Sequence, residues 1–341
     1  MESLDLEVLR TARHWRQQGH AAQLFTVART WGSAPRGPGA MVAIRDDGRV
    51  VGSVSGGCVE DDLIERVRQD GAALARPELL EYGLTREQAE RFGLPCGGSL
   101  VLVREALPHA GWLDTVLEAT AAQGRIRRQL DLRDGTVCCR ALPDAGGALP
   151  RPQLEQDRFT VCYGPRWRLL MIGAGQLSQV LARMALMLDY DVLVCDPREE
   201  YAAGWEVAGS RLLSGMPDDV VLAMQADAHT AIVALTHDPR LDDMALLEAL
   251  ASPAFYVGAL GSHANSRRRR ERLALFDLDA AQIARLHAPI GLPIDSHTPA
   301  EIAVSILAQM TAVRNAADRT SSAAAPDAGD HRSLPGQDAT R

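Results

Sequence analysis

The sequence contains no lysine among its 341 residues. P-loop NTPases need a lysine on the nucleotide phosphates, and Schiff-base enzymes need one as the nucleophile. Dehydrogenases with a Tyr-x-x-x-Lys site depend on a lysine in the same way. The missing residue type therefore excludes all three classes of enzyme.

The chain also lacks any Cys-x-x-Cys pair. Its six cysteines are Cys58, Cys96, Cys138, Cys139, Cys162 and Cys195. In a chain of this length, cysteines so scattered indicate neither a disulfide framework nor a zinc knuckle. We expect reduced thiols, with Cys138 and Cys139 filling space in a strand.

No apolar run approaches the roughly 20 residues of a membrane-spanning helix. Residues 1–5, Met-Glu-Ser-Leu-Asp, carry acids where a secretory signal has a basic segment. We therefore expect a soluble, cytoplasmic protein. A net charge of −8 and a pI near 5.6 predict no long-range attraction to nucleic acid or to an anionic membrane, although small anions can bind locally.

The length is about twice that of a usual domain, which predicts two domains with separate cores. The pattern of elements changes near residue 164. We predict an N-terminal mixed α+β domain over 1–163 and an α/β domain over 164–317, a Rossmann-type doubly wound parallel sheet. Residues 318–341, rich in Ala, Ser, Asp, Gly and Pro, are predicted to be a disordered tail.

Periodicity and turn signals predict the elements of each half. In the first half, helices are predicted over 3–18, 60–70, 86–92 and 112–123, and strands over 22–30, 41–44, 50–54, 79–82, 100–103, 135–140 and 158–163. In the second half, strands over 169–172, 191–195, 230–235 and 255–260 alternate with helices over 177–188, 217–224 and 241–250, before a final helix over 299–314.

A glycine-rich turn follows the first strand of the second half. Residues 173–178 read Gly-Ala-Gly-Gln-Leu-Ser and open a helix, which is the context expected of a dinucleotide-binding turn. Gly173 and Gly175 allow the tight turn and the approach of a phosphate to the backbone near Gln176. Asp196 ends the next strand, where a carboxylate can meet a ribose hydroxyl, and Arg198 could instead meet a phosphate.

Two further loops follow strands of the same predicted sheet, and ligands gather at the carboxyl ends of such strands. The first offers His237, and the second offers Gly261 and Ser262. Asp238, before a proline, fits equally well as a helix cap. Four arginines at 267–270 could clamp a pyrophosphate or form a solvated helix face.

Two cysteine-diglycine loops each adjoin a strand in the first half. They contain Gly56, Gly57 and Cys58, and Cys96, Gly97 and Gly98. Glycine leaves backbone N–H groups unshielded, so each loop could wrap an anion with a sulfur nearby. A helix after Cys58 favours its thiolate, although the acids at 60–62 oppose that shift. The alternative is that both thiols are small buried hydrophobes.

Taken together, the motifs resemble the XdhC/CoxI family. The first half contributes residues 32–36, 55–60 and 94–99, and the second contributes 172–175, 196–198, 236–238, 256–262, 289–292 and 299–303. The resemblance spans about residues 20 to 315 and departs from the family pattern at residues 295–297, Asp-Ser-His.

This resemblance implies an accessory protein for molybdenum hydroxylases such as xanthine dehydrogenase or aldehyde oxidoreductase, not a catalyst. Such a protein binds molybdenum cofactor, as molybdopterin or its dinucleotide, and protects it while a cysteine desulfurase installs the sulfido ligand. It then transfers the cofactor to the apo-hydroxylase. The implied partners are that enzyme, the desulfurase and cofactor biosynthesis proteins. Cys58 and Cys96 would contact the molybdenum or its sulfido ligand.

Two other interpretations stay open. The first is an NAD(P)-dependent oxidoreductase that uses Gly173, Gly175 and Asp196, with His237 as an acid or base. The second is a scaffold that only joins proteins during maturation. A homodimer is compatible with each interpretation, and the residues do not require one.

Overall fold

The computed structural model describes residues 3–32, 36–57, 59–70, 74–83, 99–108, 111–143 and 149–323. The helices are α1 (Ser3–Gln17), α2 (Glu60–Asp70), α3 (Gly111–Ala121), α4 (Gln176–Met187), α5 (Glu199–Ala202), α6 (Pro217–Ala223), α7 (Pro239–Ala251), α8 (His263–Leu273), α9 (Ala280–Ala284) and α10 (Pro299–Ala323).

The strands divide into a first-half set and a second-half set. The first-half strands are β1 (Ala22–Trp31), β2 (Met41–Arg45), β3 (Val50–Gly52), β4 (Glu78–Tyr82), β5 (Ser99–Ala106), β6 (Arg125–Asp131), β7 (Val137–Leu142), β8 (Gln153–Leu154) and β9 (Arg158–Tyr163). The second-half strands are β10 (Arg168–Ile172), β11 (Asp191–Cys195), β12 (Arg211–Leu213), β13 (Thr230–Ala234), β14 (Tyr256–Ala259) and β15 (Leu286–His287).

The first half contains two antiparallel sheets. Sheet A has the order β3-β2-β1-β5-β4, and sheet B has the order β7-β6-β9-β8. β2 and β3 form a hairpin that turns at Asp47-Gly48, and Gly48 has the positive φ, +88°, that its turn requires. One face of sheet A and one face of sheet B share a core with α1 and α3.

The second half is a single parallel sheet, sheet C, with the order β12-β11-β10-β13-β14-β15. This is the Rossmann strand order, which reverses direction next to β10. Apolar strand residues face a core on each side, one shared with α4 and α10 and the other with α7. The predicted α/β class, with a Rossmann-type second half after a mixed α+β half, is confirmed.

Strand β6 is the main element that the sequence did not predict. It is a central strand of sheet B, although it reads Arg-Ile-Arg-Arg-Gln-Leu-Asp. Its inward position Arg128 is 1% exposed, donates to Glu105 and lies 3.8 Å from the ring centroid of Trp112. Arg128 therefore occupies a position where an apolar residue is expected. Because it is charged, the sequence lacks the alternation of apolar and polar residues that predicts a strand.

The last helix is longer than expected. It was predicted to end at Arg314 and runs to Ala323, so the proposed tail from 318 begins too early. Residues 315–323 include three alanines and no glycine or proline, so nothing stops the helix.

Residues 324–341 and the helix predicted over 86–92 lie outside the described residues. The buried clusters divide between Tyr163 and Leu169, and the domain boundary at 163/164 stays a prediction.

None of the helices in the described ranges combines the length and the apolar composition needed to cross a lipid bilayer.

Candidate functional site

The carboxyl edge of sheet C gathers four of the loops that the sequence indicated. Gly173 follows β10, Asp196 follows β11, His237 follows β13 and Gly261 follows β14. These strands are neighbours in the order β11-β10-β13-β14, and all are parallel. The four loops therefore share one edge, where Rossmann-type sheets bind ligands.

The two glycines of the turn after β10 have different roles. Gly173 has φ +110°, and a Cβ atom on it would lie 3.1 Å from Thr236 Cγ2 and 3.2 Å from the backbone of Leu235. Gly175 caps α4 with φ −76°, and a Cβ atom on it would meet no described atom within 4 Å. Gly173 is thus required by the fold, whereas Gly175 leaves the start of α4 open to a ligand such as a phosphate.

The Asp196 side chain is fully buried. It follows β11 and hydrogen-bonds to the turn after β10. Its Oδ2 accepts from the Ala174 N–H at 2.8 Å and from Arg198 at 2.8 Å. Its Oδ1 accepts from the Arg198 N–H at 3.1 Å and from Arg198 Nε at 2.9 Å. Burial opposes ionisation, but the bonds from Arg198 and Ala174 outweigh it and lower the pKa of Asp196.

Four donors therefore surround the Asp196 carboxylate, two on each oxygen. A ribose hydroxyl would compete with these donors for the same two oxygens. The guanidinium of Arg198 lies 3.9 Å from the ring centroid of Tyr201, and its side chain is 26% exposed. Asp196 thus fixes the turn through Ala174 and Arg198, and Arg198 is the more exposed side chain of the pair. A contact of Asp196 with a ribose hydroxyl stays a prediction.

His237 lies exposed in the left-handed region, with φ +65°. The preceding residue, Thr236, is fixed by a buried carboxylate: its N–H and its hydroxyl donate to Asp242 at 3.1 and 2.7 Å. Arg269 donates to the other oxygen of Asp242 at 2.9 Å. Burial raises the pKa of Asp242 despite these bonds. This network was not predicted from the sequence, because Asp242 reads as an ordinary acid in the first turn of α7.

The loop after β14 is built mainly by structural contacts. Ser262 caps α8 by accepting from the Asn265 N–H at 3.2 Å. Arg269 is buried against Asp242, and Arg270 donates to the carbonyl of Leu286. The four arginines therefore do not form one clamp. Of the four, Arg267 and Arg268 are exposed, Arg269 is buried and Arg270 is partly buried.

In the first half, the loop before α2 is closed by the carboxylate of Glu60. The backbone N–H groups of Val54, Ser55, Gly57 and Val59 donate to it at 2.9 to 3.2 Å. The hydroxyls of Ser53 and Ser55 donate to the same carboxylate.

This arrangement changes the chemistry of the loop. Burial opposes ionisation of Glu60, but the bonds from Ser55 and Ser53 outweigh it and lower its pKa to about 2. The Gly56 N–H donates to Ser53 Oγ at 2.9 Å, and the Gly57 N–H donates to Glu60. A role for Gly56 and Gly57 in holding an external anion stays a prediction. The signal that could have revealed Glu60 is its place five residues after Ser55, within reach of the whole loop.

Comparison with known proteins decides the family. The chain matches the XdhC and CoxI family over residues 15–83 and the XdhC Rossmann domain over residues 169–310. Each half is therefore matched by its own part of one family. The chain belongs to the XdhC and CoxI family.

Relatives in this family match nearly the whole chain. A protein of Escherichia coli strain K12, the molybdenum cofactor insertion chaperone PaoD, is 28% identical over 90% of this chain and 88% of its own. A probable xanthine dehydrogenase subunit of Bacillus subtilis strain 168 is 26% identical over 86% of this chain and 93% of its own. The crystal structure of a Bacillus halodurans xanthine dehydrogenase shares the fold, with a TM-score of 0.73, 24% identity and coverage of 94% and 98%.

Described residues that flank the three first-half motifs lie at one end of sheet A. Trp31 pairs with Ser99, and Gly52 pairs with Val42 beside the start of β2, so the described residues that flank the motifs lie at the same end. Cys58, Cys96, Gly97 and Gly98 themselves lie outside the described residues. Within the described ranges, no group of three or more His, Cys, Asp or Glu side chains is arranged to hold a metal ion.

Proposed function

We propose that this protein binds molybdenum cofactor, protects it during sulfuration and delivers it to a molybdenum hydroxylase of the xanthine dehydrogenase or aldehyde oxidoreductase type. The observation that carries the proposal is the match to the insertion chaperone PaoD over 90% of this chain. That match includes both the loop closed by Glu60 and the turn at Gly175. A Rossmann-type half alone would suit many nucleotides.

The residues suit a phosphorylated, sulfur-rich cargo. The open start of α4 at Gly175 offers backbone N–H groups and a helix dipole to a phosphate, and Arg198 offers a guanidinium nearby. Thiols are preferred ligands of soft metal centres, which is why we assign Cys58 and Cys96 to the molybdenum or its sulfido ligand. We further propose that the protein acts in the cytoplasm with a cysteine desulfurase and the apo-hydroxylase as partners.

The geometry favours this role over an NAD(P)-dependent oxidoreductase. The usual ribose contact of a dinucleotide needs a carboxylate with a free acceptor site at the end of the second strand. In this chain Asp196 holds that position, and a ribose hydroxyl would compete there with the hydrogen bonds from Ala174 and Arg198.

The proposal is tested by co-expressing the full chain with the cofactor biosynthesis enzymes and a cysteine desulfurase. The purified protein should release an oxidised fluorescent pterin, together with molybdenum, in roughly equimolar amount, and should activate an apo-hydroxylase. Cys58→Ala and Cys96→Ala should lower both signals. The matched control is Cys138→Ala, an exposed thiol on β7. Repeated purification without pterin, or with NAD(H) retained instead, would overturn the proposal.

A further inference from the structure

A cleft of about 760 Å³ lies between the two halves of the chain. The second half lines it with Trp167, Asp189 and His229, which lie one or two residues before β10, β11 and β13. The first half contributes residues 36–41 and 149–152. The cleft is therefore at the amino edge of sheet C, opposite the turn at Gly173 and Gly175. Its volume is in the range of small-molecule sites, which commonly form between domains.

One wall of the cleft is aromatic. The Trp167 ring is half-buried, and its centroid lies 4.8 Å from that of His229 and 4.9 Å from that of Phe255. The guanidinium of Arg314 lies 5.4 Å from the Trp167 centroid and 5.8 Å from that of Tyr190. These contacts hold the indole in one orientation. A fixed aromatic face is a good stacking surface for a planar heterocycle.

The remaining lining is rich in arginine although the chain as a whole is acidic. Arg36, Arg151 and Arg314 line the cleft, against two carboxylates, Asp5 and Asp189. Arg36 lies 3.9 Å from Asp5, whereas Arg151 is exposed on its loop. Guanidinium groups bind phosphate oxygens through paired hydrogen bonds. The lining therefore combines a stacking face with phosphate-binding groups.

We infer that this cleft is a second ligand site, for a planar heterocycle that carries a phosphate, such as a nucleotide. The ring stacks on Trp167, and the phosphate contacts Arg314 and Arg151. Because the cleft and the glycine turn lie at opposite edges of sheet C, the site is separate from the helix start at Gly175 that we assign to the phosphate of the cofactor. The inference goes beyond the proposed function, since nucleotide binding here does not require that the protein carry molybdenum cofactor.

The probe is GMP, titrated into the full-length protein and followed by tryptophan fluorescence and calorimetry. We expect saturable quenching that a Trp167→Phe variant removes. Gly37 lines the cleft, and a Cβ atom on it would meet no described atom within 4 Å, as at Gly175. Gly37→Leu should therefore weaken the binding that quenches Trp167 about tenfold or more without disturbing the fold, while the matched Gly175→Leu should change it by less than about twofold.

Charge variants separate the phosphate from the ring. Arg151→Ala should weaken GMP binding about fivefold or more and leave the weaker binding of guanosine unchanged. Arg314→Lys keeps the charge but loses the planar stack, so it should weaken both ligands. The control is Arg133→Ala, an exposed arginine on the β6–β7 turn.

The inference is overturned if GMP gives no saturable signal, or if Gly175→Leu removes the Trp167 quenching and Gly37→Leu does not. Pterin content measured on the same preparations keeps this result distinct from the proposed function. If the protein carries pterin but binds no GMP, the inference about the cleft is wrong and the proposed function is unaffected.

Discussion

The glycine loops before α2 and α4 are each organised by a carboxylate of the chain, but in different ways. In the loop before α2, Glu60 reaches back and accepts from the N–H groups of Gly57 and three other loop residues. In the turn before α4, Asp196 comes from the neighbouring strand and accepts from one N–H group of that turn, the N–H of Ala174. In the first loop the Glu60 carboxylate occupies the backbone N–H groups. In the second, a Cβ atom at Gly175 would meet no described atom within 4 Å.

The difference shows that glycines ahead of a helix do not by themselves indicate an anion site. What decides is whether an internal carboxylate can reach the N–H groups. Glu60 can, because it is the first residue of the helix that follows its own loop. Asp196 belongs to another element and is directed at one N–H, so the helix start remains open.

The largest expected effect is the loss of the carboxylate in the first loop. Glu60→Gln should lower the free energy of unfolding by about 3 kcal/mol, because an amide nitrogen cannot accept from the Gly57 N–H and the Ser55 hydroxyl, which donate to the same carboxylate oxygen. Urea unfolding curves measure the change. Asp61→Asn, at the exposed next position of α2, is the control and should change stability by less than about 0.5 kcal/mol.

The same carboxylate predicts a pH dependence. The pKa of Glu60 is lowered to about 2 in the folded state, against 4.5 for an unperturbed glutamate. A lowered folded-state pKa stabilises the protein fully above the unfolded pKa, and this contribution is lost as the pH falls towards 2. The stability difference between the native chain and Glu60→Gln should therefore shrink by about 2 kcal/mol between about pH 5 and about pH 3. A difference that stays constant over this range would show that Glu60 is not held as a carboxylate.

The second loop should depend on its carboxylate somewhat less. Asp196→Asn is expected to lower the free energy of unfolding by about 2 kcal/mol, since the amide can no longer accept from Ala174 and Arg198 together. Asp191→Asn is the control on the same strand, because its ion pair with Arg211 is partly exposed and contributes little. An Asp196→Asn variant as stable as this control, but with lost dinucleotide binding, would restore the ribose-binding role.

Sequence reasoning predicted the carboxyl edge of sheet C well because its signals are local. A short apolar strand, a glycine turn and a helix follow one another between residues 168 and 187. The order of such units then places Gly173, Asp196, His237 and Gly261 at one edge. The predicted family is confirmed for the same reason, since its motifs are short and lie in sequence order.

The roles of individual polar residues could not be predicted, because they depend on contacts between distant parts of the chain. Asp196 stands where a ribose-binding acid is expected, and only the geometry shows that Ala174 and Arg198 donate to it. β6 was not predicted because its buried residue Arg128 is charged, and the partner that allows its burial, Glu105, lies on β5. The cleft at Trp167 is lined by residues of both halves, and no sequence motif indicates how the two halves pack together.

The smallest expected effect tests the difference between the two glycines of the second loop. Gly173→Ala should lower the free energy of unfolding by about 1 to 2 kcal/mol, because φ +110° disfavours any side chain and the new Cβ atom would crowd Thr236 and Leu235. Gly175→Ala should cost only about 0.5 kcal/mol, the usual difference between glycine and alanine at a helix cap.

Ligand binding should rank the same two variants in the opposite order. A side chain at Gly175 projects into the space from which a phosphate would approach, so Gly175→Leu should reduce the pterin that co-purifies with the protein, while its stability stays close to that of Gly175→Ala. Gly173→Ala should keep its pterin in the fraction that remains folded. If Gly175→Leu retains pterin in full, the open start of α4 does not hold the cargo. The difference between the loop before α2 and the turn before α4 would then concern stability and not ligand binding.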